Sequence, residues 1–559
     1  MNLEELEKTD LWNLYEKHEN FMRKREIYSD SDKNYRMYNG DQWYGLNIKG
    51  IEKIQHNFIK QIVKQKVSNI TSNLFAVNYS PENIENTEFM ETAQKVCELL
   101  NKRASKVWDK DFMDKKIKKW AKQSAINDEA VAYVTYDFEE DNPINEIISK
   151  NDIMYGNENE EELQLQPYIL VRQRKSVIEL QQMAKEQKID PKLVATIQPD
   201  NDTSTIAGDS GKDEVEDKCW LITKFYRKNG TVKFQQATKY CEIKKDRDMR
   251  TWRYPFAHWN WEEKEGDARG TGEVRQLIPN QLETNKTAMR RALTTKNISY
   301  PQKVINEDSI VNIQDVNKVG TTIRFRDKGG TKASDVFMNT TPGQMGTDSE
   351  KLQSELITLS KDLANAGDAT TGNINPESAS GRAILAVQQA QNQPLTEQLI
   401  GLKSFIEDIA RIWFEMWQVN ASEGLVIENE TTDNSGNAAV EMITVPSYIL
   451  DALSTSVKVD ITPKGAFDKY AQELSLENLF TNNKISFEEY VDSLDADSVM
   501  PKVKLESIIK KRKETQEQIA KMQLAANQMM AQSNQIMQNQ EDIANIEAQG
   551  NNMVETTAM

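Results

Sequence analysis

The stretch ANAGDATTGNINPESASGRAI, residues 364–384, sets Gly367, Gly372 and Gly381 among small polar residues between two helix-like segments. Glycine spacing of this kind can cradle a phosphate, but the lysine that a nucleotide-binding loop carries after its last glycine is missing. Ser378 or Ser380 could still cap the following helix and hold an anion there. The preferred reading is a reshapeable hinge that does no chemistry, since three glycines with Ala, Ser, Thr and Asn between them oppose little steric resistance. Elsewhere Gly211-Lys212 is followed by Asp213, and Gly330 precedes Thr331 and Lys332 in the wrong order for phosphate. His18, His56 and His258 stand singly, and Cys97, Cys219 and Cys241 lie far apart without a C-x-x-C pair, so neither a zinc site nor a disulfide framework is signalled. G-x-S-x-G is absent, and among 87 acidic residues chance carboxylate pairs carry no weight. The expectation is a protein without catalysis, cofactor or metal.

The elements that would position such a loop belong to a long polar chain. It has 559 residues, 38% hydrophobic and 28% charged, with a formal net charge of −17. That length suits several structural units, and the charge argues against gripping nucleic acid through its phosphates while allowing a wall that DNA slides past. The acidic start MNLEELEKTD lacks a secretory pattern and no run approaches a membrane span, so a cytoplasm-like compartment is expected.

Residues 1–140 read as mostly helical, broken at NGDQWYG, where Trp43 and Tyr44 should anchor a turn. In ASKVWDKDFMDKKIKKWAKQSAIN the residues Val107, Trp108, Phe112, Ile117 and Trp120 lie among lysines. The pattern suits a helix with a core-facing aromatic side and a solvated basic side, with a membrane- or nucleic-acid-binding face as the alternative. From 130 to 265 short β-branched and aromatic runs predict strands. A helix follows from about 273 to 297 and includes Pro279; a strand-and-turn insert covers 300–342. A second helix, about 347–366, repeats Leu352, Leu356, Leu359, Leu363 and Ala366, a stripe expected to pack while Ser354, Thr358, Lys361 and Asn365 face water. Pro394 should kink the long helix carrying Leu395, Leu399, Leu402, Ile406, Ile409 and Trp413. Strand-like residues run from 421 to 465. The tail from 501 has a weak heptad of Ile, Met and Ala and is either a helical barrel of several copies or disordered.

YRMYNGDQW, then WNWEEKEGDARGTGEVRQLIPNQLETNKTAMRRA, the helix/β-insert/helix layout, and NINPESASGRAILAVQQAQNQPLTEQL together resemble the portal proteins of tailed bacteriophages, in order over nearly the whole chain. The resemblance implies an α+β, predominantly helical subunit of a ring, usually a dodecamer, with wing, stem, clip and crown. It would place the wing at 1–265, the first stem helix at 266–298, the clip at 299–344 and the second stem helix at 345–366. The tunnel loop would be 367–380, the kinked long helix and further wing strands 381–465, and the crown 466–559.

The implied partners are further copies, the major capsid protein, the terminase large subunit, head-completion or adaptor proteins, and double-stranded DNA that passes without tight binding. The implied location is the capsid vertex of the virion, assembled in the host cytoplasm, with no membrane. Asp368, Thr370, Thr371, Asn373 and Asn375 would lie along the channel, and Lys361 could add a ring of positive charge. Arg324, Arg326 and Lys328 in TTIRFRDKGG are candidates for docking the motor or a completion protein, or equally for a solvated hairpin edge. A coiled-coil scaffold or adaptor assembled through the Gln-rich tail is the alternative function.

Overall fold

The computed structural model describes residues 7–45, 53–82, 87–200, 217–299, 347–364, 393–421, 424–432 and 438–462, with segments of 303–339 and 476–512. The chain divides into two units, 1–462 and 463–559. In the first, helices α1 (Asp10–Lys24), α2 (Ile27–Asn39) and α3 (Phe58–Thr71) precede strand β1 (Leu74–Pro81) and helices α4 (Thr87–Lys110) and α5 (Met113–Asn127). Then come β2 (Glu129–Asp137), β3 (Asn142–Ile148), β4 (Ile153–Tyr155), β5 (Tyr168–Ser176), α6 (Val177–Glu186), α7 (Pro191–Val194), β6 (Lys218–Lys228), β7 (Thr231–Ala237) and β8 (Glu242–Asp248). The chain continues through β9 (Phe256–Asn260), β10 (Glu262–Lys264), β11 (Asp267–Thr271), α8 (Glu273–Ser299), β12 (Lys303–Ile305), β13 (Phe337–Asn339) and α9 (Asp348–Leu363). It closes with α10 (Thr396–Asn420), β14 (Leu425–Thr432), β15 (Ala438–Val445), α11 (Ser447–Ala452) and β16 (Thr455–Thr462). This is an α+β architecture.

Period-two patterning builds the antiparallel sheet β4-β5-β6-β7-β8. Ile169 and Val171 on β5 face one way, into a core with Val131, Tyr155, Phe225 and Phe256. Leu170 between them faces the other way, with Trp220 and Ile222, under Leu11, Tyr15 and Met22 of α1. Thr9 fixes that helix: its side chain caps the Trp12 amide at 3.2 Å, and its own amide donates to the Lys239 carbonyl at 3.1 Å. A second sheet, β3-β2-β9, lies against the largest core. There the three-and-four spacing of Leu402, Phe405, Ile406, Ile409, Trp413 and Trp417 puts one whole face of α10 inside, beside Trp120 and Trp259. The Trp413 indole N–H reaches Asn145 Oδ1 at 3.1 Å, and that of Trp120 reaches the Val131 carbonyl at 3.2 Å. Segments far apart in sequence meet where β1 pairs with β16, Leu74 opposite Thr462.

Several local expectations change. The lysine-rich helix is two helices, because Phe112 adopts a left-handed conformation (φ 51°) between α4 and α5 and is 70% exposed. Val107, Ile117 and Trp120 still form the buried face. Trp43 is buried, but Tyr44 is exposed and lies under the Arg36 guanidinium, 3.5 Å from the ring centroid. Pro394 sits in the 3-10 turn Gln393–Leu395 that opens α10, where its missing N–H is harmless; the segment before it, which the expected kink also involves, lies outside the described residues.

Gly401 marks a tight contact on α10, since a Cβ there would stand 2.5 Å from Nε1 of the buried Trp259. Gly401→Ala therefore overpacks the core, with an expected loss of about 1–3 kcal/mol, read as a lower thermal midpoint with unchanged far-UV dichroism. In the unit 463–559, α12 (Phe487–Asp492) begins in a capping box between Ser486 and Glu489 and packs Tyr490 and Val491 against Leu476, Leu505 and Ile509. The proposed heptad tail beyond residue 512 lies outside the described residues.

Candidate functional site

Helix α8 packs on α9, and the strand that leads into α8 is held by a buried charge cluster. Arg269 on β11 contacts Glu129 on β2 and donates from Nη2 to the Ile153 carbonyl at 2.9 Å, with Glu158 at 3.5 Å. Glu129 also receives the Tyr155 hydroxyl at 2.9 Å and faces His258 Nε2 at 3.0 Å. Burial alone would raise the Glu129 pKa, but the charges of Arg269, His258 and Lys150 outweigh it and hold the carboxyl below its usual range. Gly270 lets the strand approach, because a Cβ there would lie 2.3 Å from the Glu262 carbonyl oxygen. The Gly272 amide then donates to Asp128 Oδ1 at 2.7 Å, while Asp128 also pairs with Lys150. At the first turn of α8, Glu273 accepts an ion pair from Lys66 at 2.8 Å, the favourable sign for a helix start.

The first half of α8 is clamped by amides. Gln281 Oε1 accepts from the Phe58 and Ile59 amides at 3.1 and 3.3 Å, and its Nε2 donates to the His56 carbonyl at 2.6 Å. Asn285 accepts from the His56 amide at 3.0 Å and donates to Gln42. The helix thus caps the start of α3 with side chains more than two hundred residues away in sequence. Pro279 lies inside α8.

The second half of α8 packs on α9. Arg291 Nη1 donates to Gln353 Oε1 at 2.6 Å, with Glu350 at 3.8 Å. Among the described residues Gln353 and Ser360 of α9 and Ala364 just after it are buried, and Ser360 returns its hydroxyl to the Leu356 carbonyl at 2.6 Å. The leucine stripe is thus rotated away from the intrachain seam. Leu352 is 45% and Leu359 55% exposed, and Leu356 is half-buried. The stripe is expected to pack; within the chain Leu352 and Leu359 are left uncovered, and the side chain of Leu363 and residue Ala366 lie outside the described residues. Ser354 and Thr358 are exposed as expected, and Lys361 is half-buried.

At the far end β12 pairs with β13, Lys303 opposite Asn339. Between them Ile310 bridges Phe325, and the Val311 and Arg326 amides donate to the Arg324 and Ser309 carbonyls at 2.8 and 2.9 Å. Asn312 locks the turn, accepting from the Arg324 amide at 2.8 Å and donating to the Thr322 carbonyl at 2.9 Å. Ile310 and Val316 pack together with Ile323, while Arg324, Phe325 and Arg326 are all exposed, the two arginines without an ion partner among the described residues. Lys328, Asp368, Thr370, Thr371, Asn373 and Asn375 lie outside the described residues, as does 365–392 entire.

The structure therefore brings Arg324 and Arg326 together on one surface and separates them from Lys361 by the β insert and most of α9. Sequence reasoning missed the Arg269 cluster and the Gln281–Asn285 clamp. Gly270 and Gly272, just after Arg269, were the available signal for the first; the second had none, since its partners are set by tertiary contact.

Among the described residues no group of His, Cys, Asp and Glu is arranged to hold a metal ion, and no helix is long and apolar enough to cross a membrane. The sequence matches no model of a known protein family and no curated protein.

Proposed function

We propose that the chain is one subunit of a closed ring that conducts double-stranded DNA through a central channel, without catalysis, of the kind that forms the portal vertex of tailed bacteriophages. The observation that carries this reading is the α8/α9 pair. It is rooted in the body by buried charges and amides, Arg291 and Gln353 join its two helices, and it leaves Leu352 and Leu359 uncovered at helical spacing. A leucine stripe left uncovered gains about 25 cal/mol per Å² once a neighbour covers it. A ring of copies gives every such stripe a neighbour without exposing a new edge, which is the economy of closed symmetry.

Charge supports the second half of the reading. Twelve copies would carry a formal charge of about −200, which keeps the phosphate backbone from settling on the wall. In this reading Arg324 and Arg326 at the tip dock the terminase large subunit and later a head-completion protein, the body meets the major capsid protein, and residues 365–392 return the chain from the helix pair to α10. The location is the virion.

The test is the purified chain, imaged in negative stain with its mass measured by light scattering. A ring with a central hole and weak, non-saturating DNA binding at physiological salt is the expected result. A monomer, a filament, or tight DNA binding that falls steeply with salt would overturn it, and a particle that falls to monomers only when residues 505–559 are deleted would favour a tail-driven scaffold.

A further inference from the structure

Helices α3 and α5 pack on each other, and neither α3 nor the part of α5 that follows Asp114 contains an acidic residue. Lys64 on α3 and Lys115, Lys118, Lys119 and Lys122 on α5 are exposed, and Lys60 is half-buried. Among the described residues none of these six has an ion partner, whereas the half-buried Lys66 and Lys116 of the same helices are held by Glu273 and Asp111. Lys60 and Lys64, Lys115 and Lys119, and Lys118 and Lys122 each stand one helical turn apart, a spacing at which like charges destabilise a helix. The two helices also bring their lysines together. Lys60 Nζ and Lys122 Nζ lie 5.9 and 4.9 Å from the centroid of the same Tyr38 ring. Partial desolvation, and after it the charges of Lys60 and Lys64, lower the Lys122 pKa. At the head of α5, Phe112 is held at φ 51° and left 70% exposed. That backbone conformation is costly for a bulky residue, and no burial within the chain offsets it.

We propose that the α3/α5 face docks an acidic segment of a partner protein, whose carboxylates meet the lysines while an apolar side chain of the same segment covers Phe112. An anion there relieves the repulsion within the lysine cluster, and a covering side chain gives Phe112 the burial it lacks. Charge and size select the class of anion. From Lys115 to Lys122 the face is about 10 Å long, at 1.5 Å per residue. A nucleic-acid duplex, with a charge every ~1.7 Å of its axis, would run past that length onto a chain whose net charge is −17. A short acidic segment ends where the lysines end. Arginine, whose fork grips phosphate in two places, is absent from both helices. A bilayer would find little to receive beyond Phe112, because Ile117 and Trp120 of α5 are buried. The face shares no residue with the α8/α9 pair or with the arginines at the tip, so it stands or falls apart from the ring reading.

The experiment titrates the full chain into a fluorescently labelled short peptide of aspartate and glutamate around one leucine, read by anisotropy, with labelled duplex DNA and phosphatidylserine vesicles run in parallel. Saturable peptide binding that weakens as salt is raised is expected. The double variant Lys118→Glu, Lys122→Glu should weaken it about tenfold or more. The control Lys17→Glu, Lys24→Glu, which makes the same change of net charge at exposed positions of α1, should leave it unaltered. Phe112→Gly should weaken binding about threefold without lowering the thermal midpoint, since glycine adopts the left-handed conformation freely. No saturable peptide binding, or an equal loss in the α1 control, would overturn the proposal. So would tighter binding of the duplex or the vesicles than of the peptide, which would give the face to phosphate. A fall in the particle's own mass in the Lys118→Glu, Lys122→Glu variant would give the face to a neighbouring copy and overturn it equally.

Discussion

Replacing Arg269 with methionine is expected to lower the stability of the 1–462 unit by about 3–5 kcal/mol, the usual cost of stripping one partner from a buried ion pair. The stem of the side chain is preserved, so the loss is electrostatic. Glu129 would remain fully buried, with only His258 and the Tyr155 hydroxyl in contact. The Ile153 and Lys150 carbonyls would lose a donor as well. A second substitution separates this from a packing defect: Glu129→Gln in the Arg269→Met background should recover much of the loss, because the amide carries no charge to bury. The four proteins form a cycle whose coupling should be strongly non-additive.

The pH dependence gives an independent check with a worked sign. In the native protein the Glu129 pKa lies below its ordinary value, so its contribution is present above the unfolded pKa and disappears as pH falls through the folded one. Without Arg269 the same carboxyl is buried without its main counter-charge, and its pKa moves up. The variant's deficit should then be largest near pH 8 and shrink on acidification towards pH 5, measured as the difference in thermal midpoints. A deficit that stays constant with pH would mean that Arg269 acts through packing alone.

That cluster also shows where sequence reading stops. Elements with strong periodicity were legible: the strands of 129–260, the α10 stripe from Leu402 to Trp417, and the two helices flanking the β insert all follow from local pattern. Phe112 was not, because a left-handed break between two good helices leaves no glycine to announce it. The α9 stripe was read with the right period and without a partner. Periodicity says that leucines share a face; it does not say whether that face meets the same chain or another, and Gln353 and Ser360 carry no apolar signal that they take the intrachain seam. Arg269 and Glu129 lie 140 positions apart, as Gln42 and Asn285 lie 243 apart, and no spacing rule pairs residues at such distances.

The double variant Leu352→Asp, Leu359→Asp puts the rotated stripe to use, and should abolish assembly while leaving the chain folded. Neither leucine belongs to the intrachain core, so the thermal midpoint of the protomer should change little, as is usual for exposed positions. Between copies the effect is different. Covering the exposed half of each leucine is worth about 1 kcal/mol, and burying a carboxylate in its place costs several more unless it finds a cation. In a ring every subunit contact carries the same lesion, so the losses repeat around the circle. Light scattering should report monomers or small oligomers where the native chain gives a ring. Arg291→Ala is the informative contrast: it loosens the α8/α9 seam from inside by removing the Gln353 hydrogen bond, and should lower the protomer's midpoint before it affects ring mass. If the double aspartate variant kept native mass, α9 would not be the contact face, and the leucines would have to be explained by some other partner seated on them.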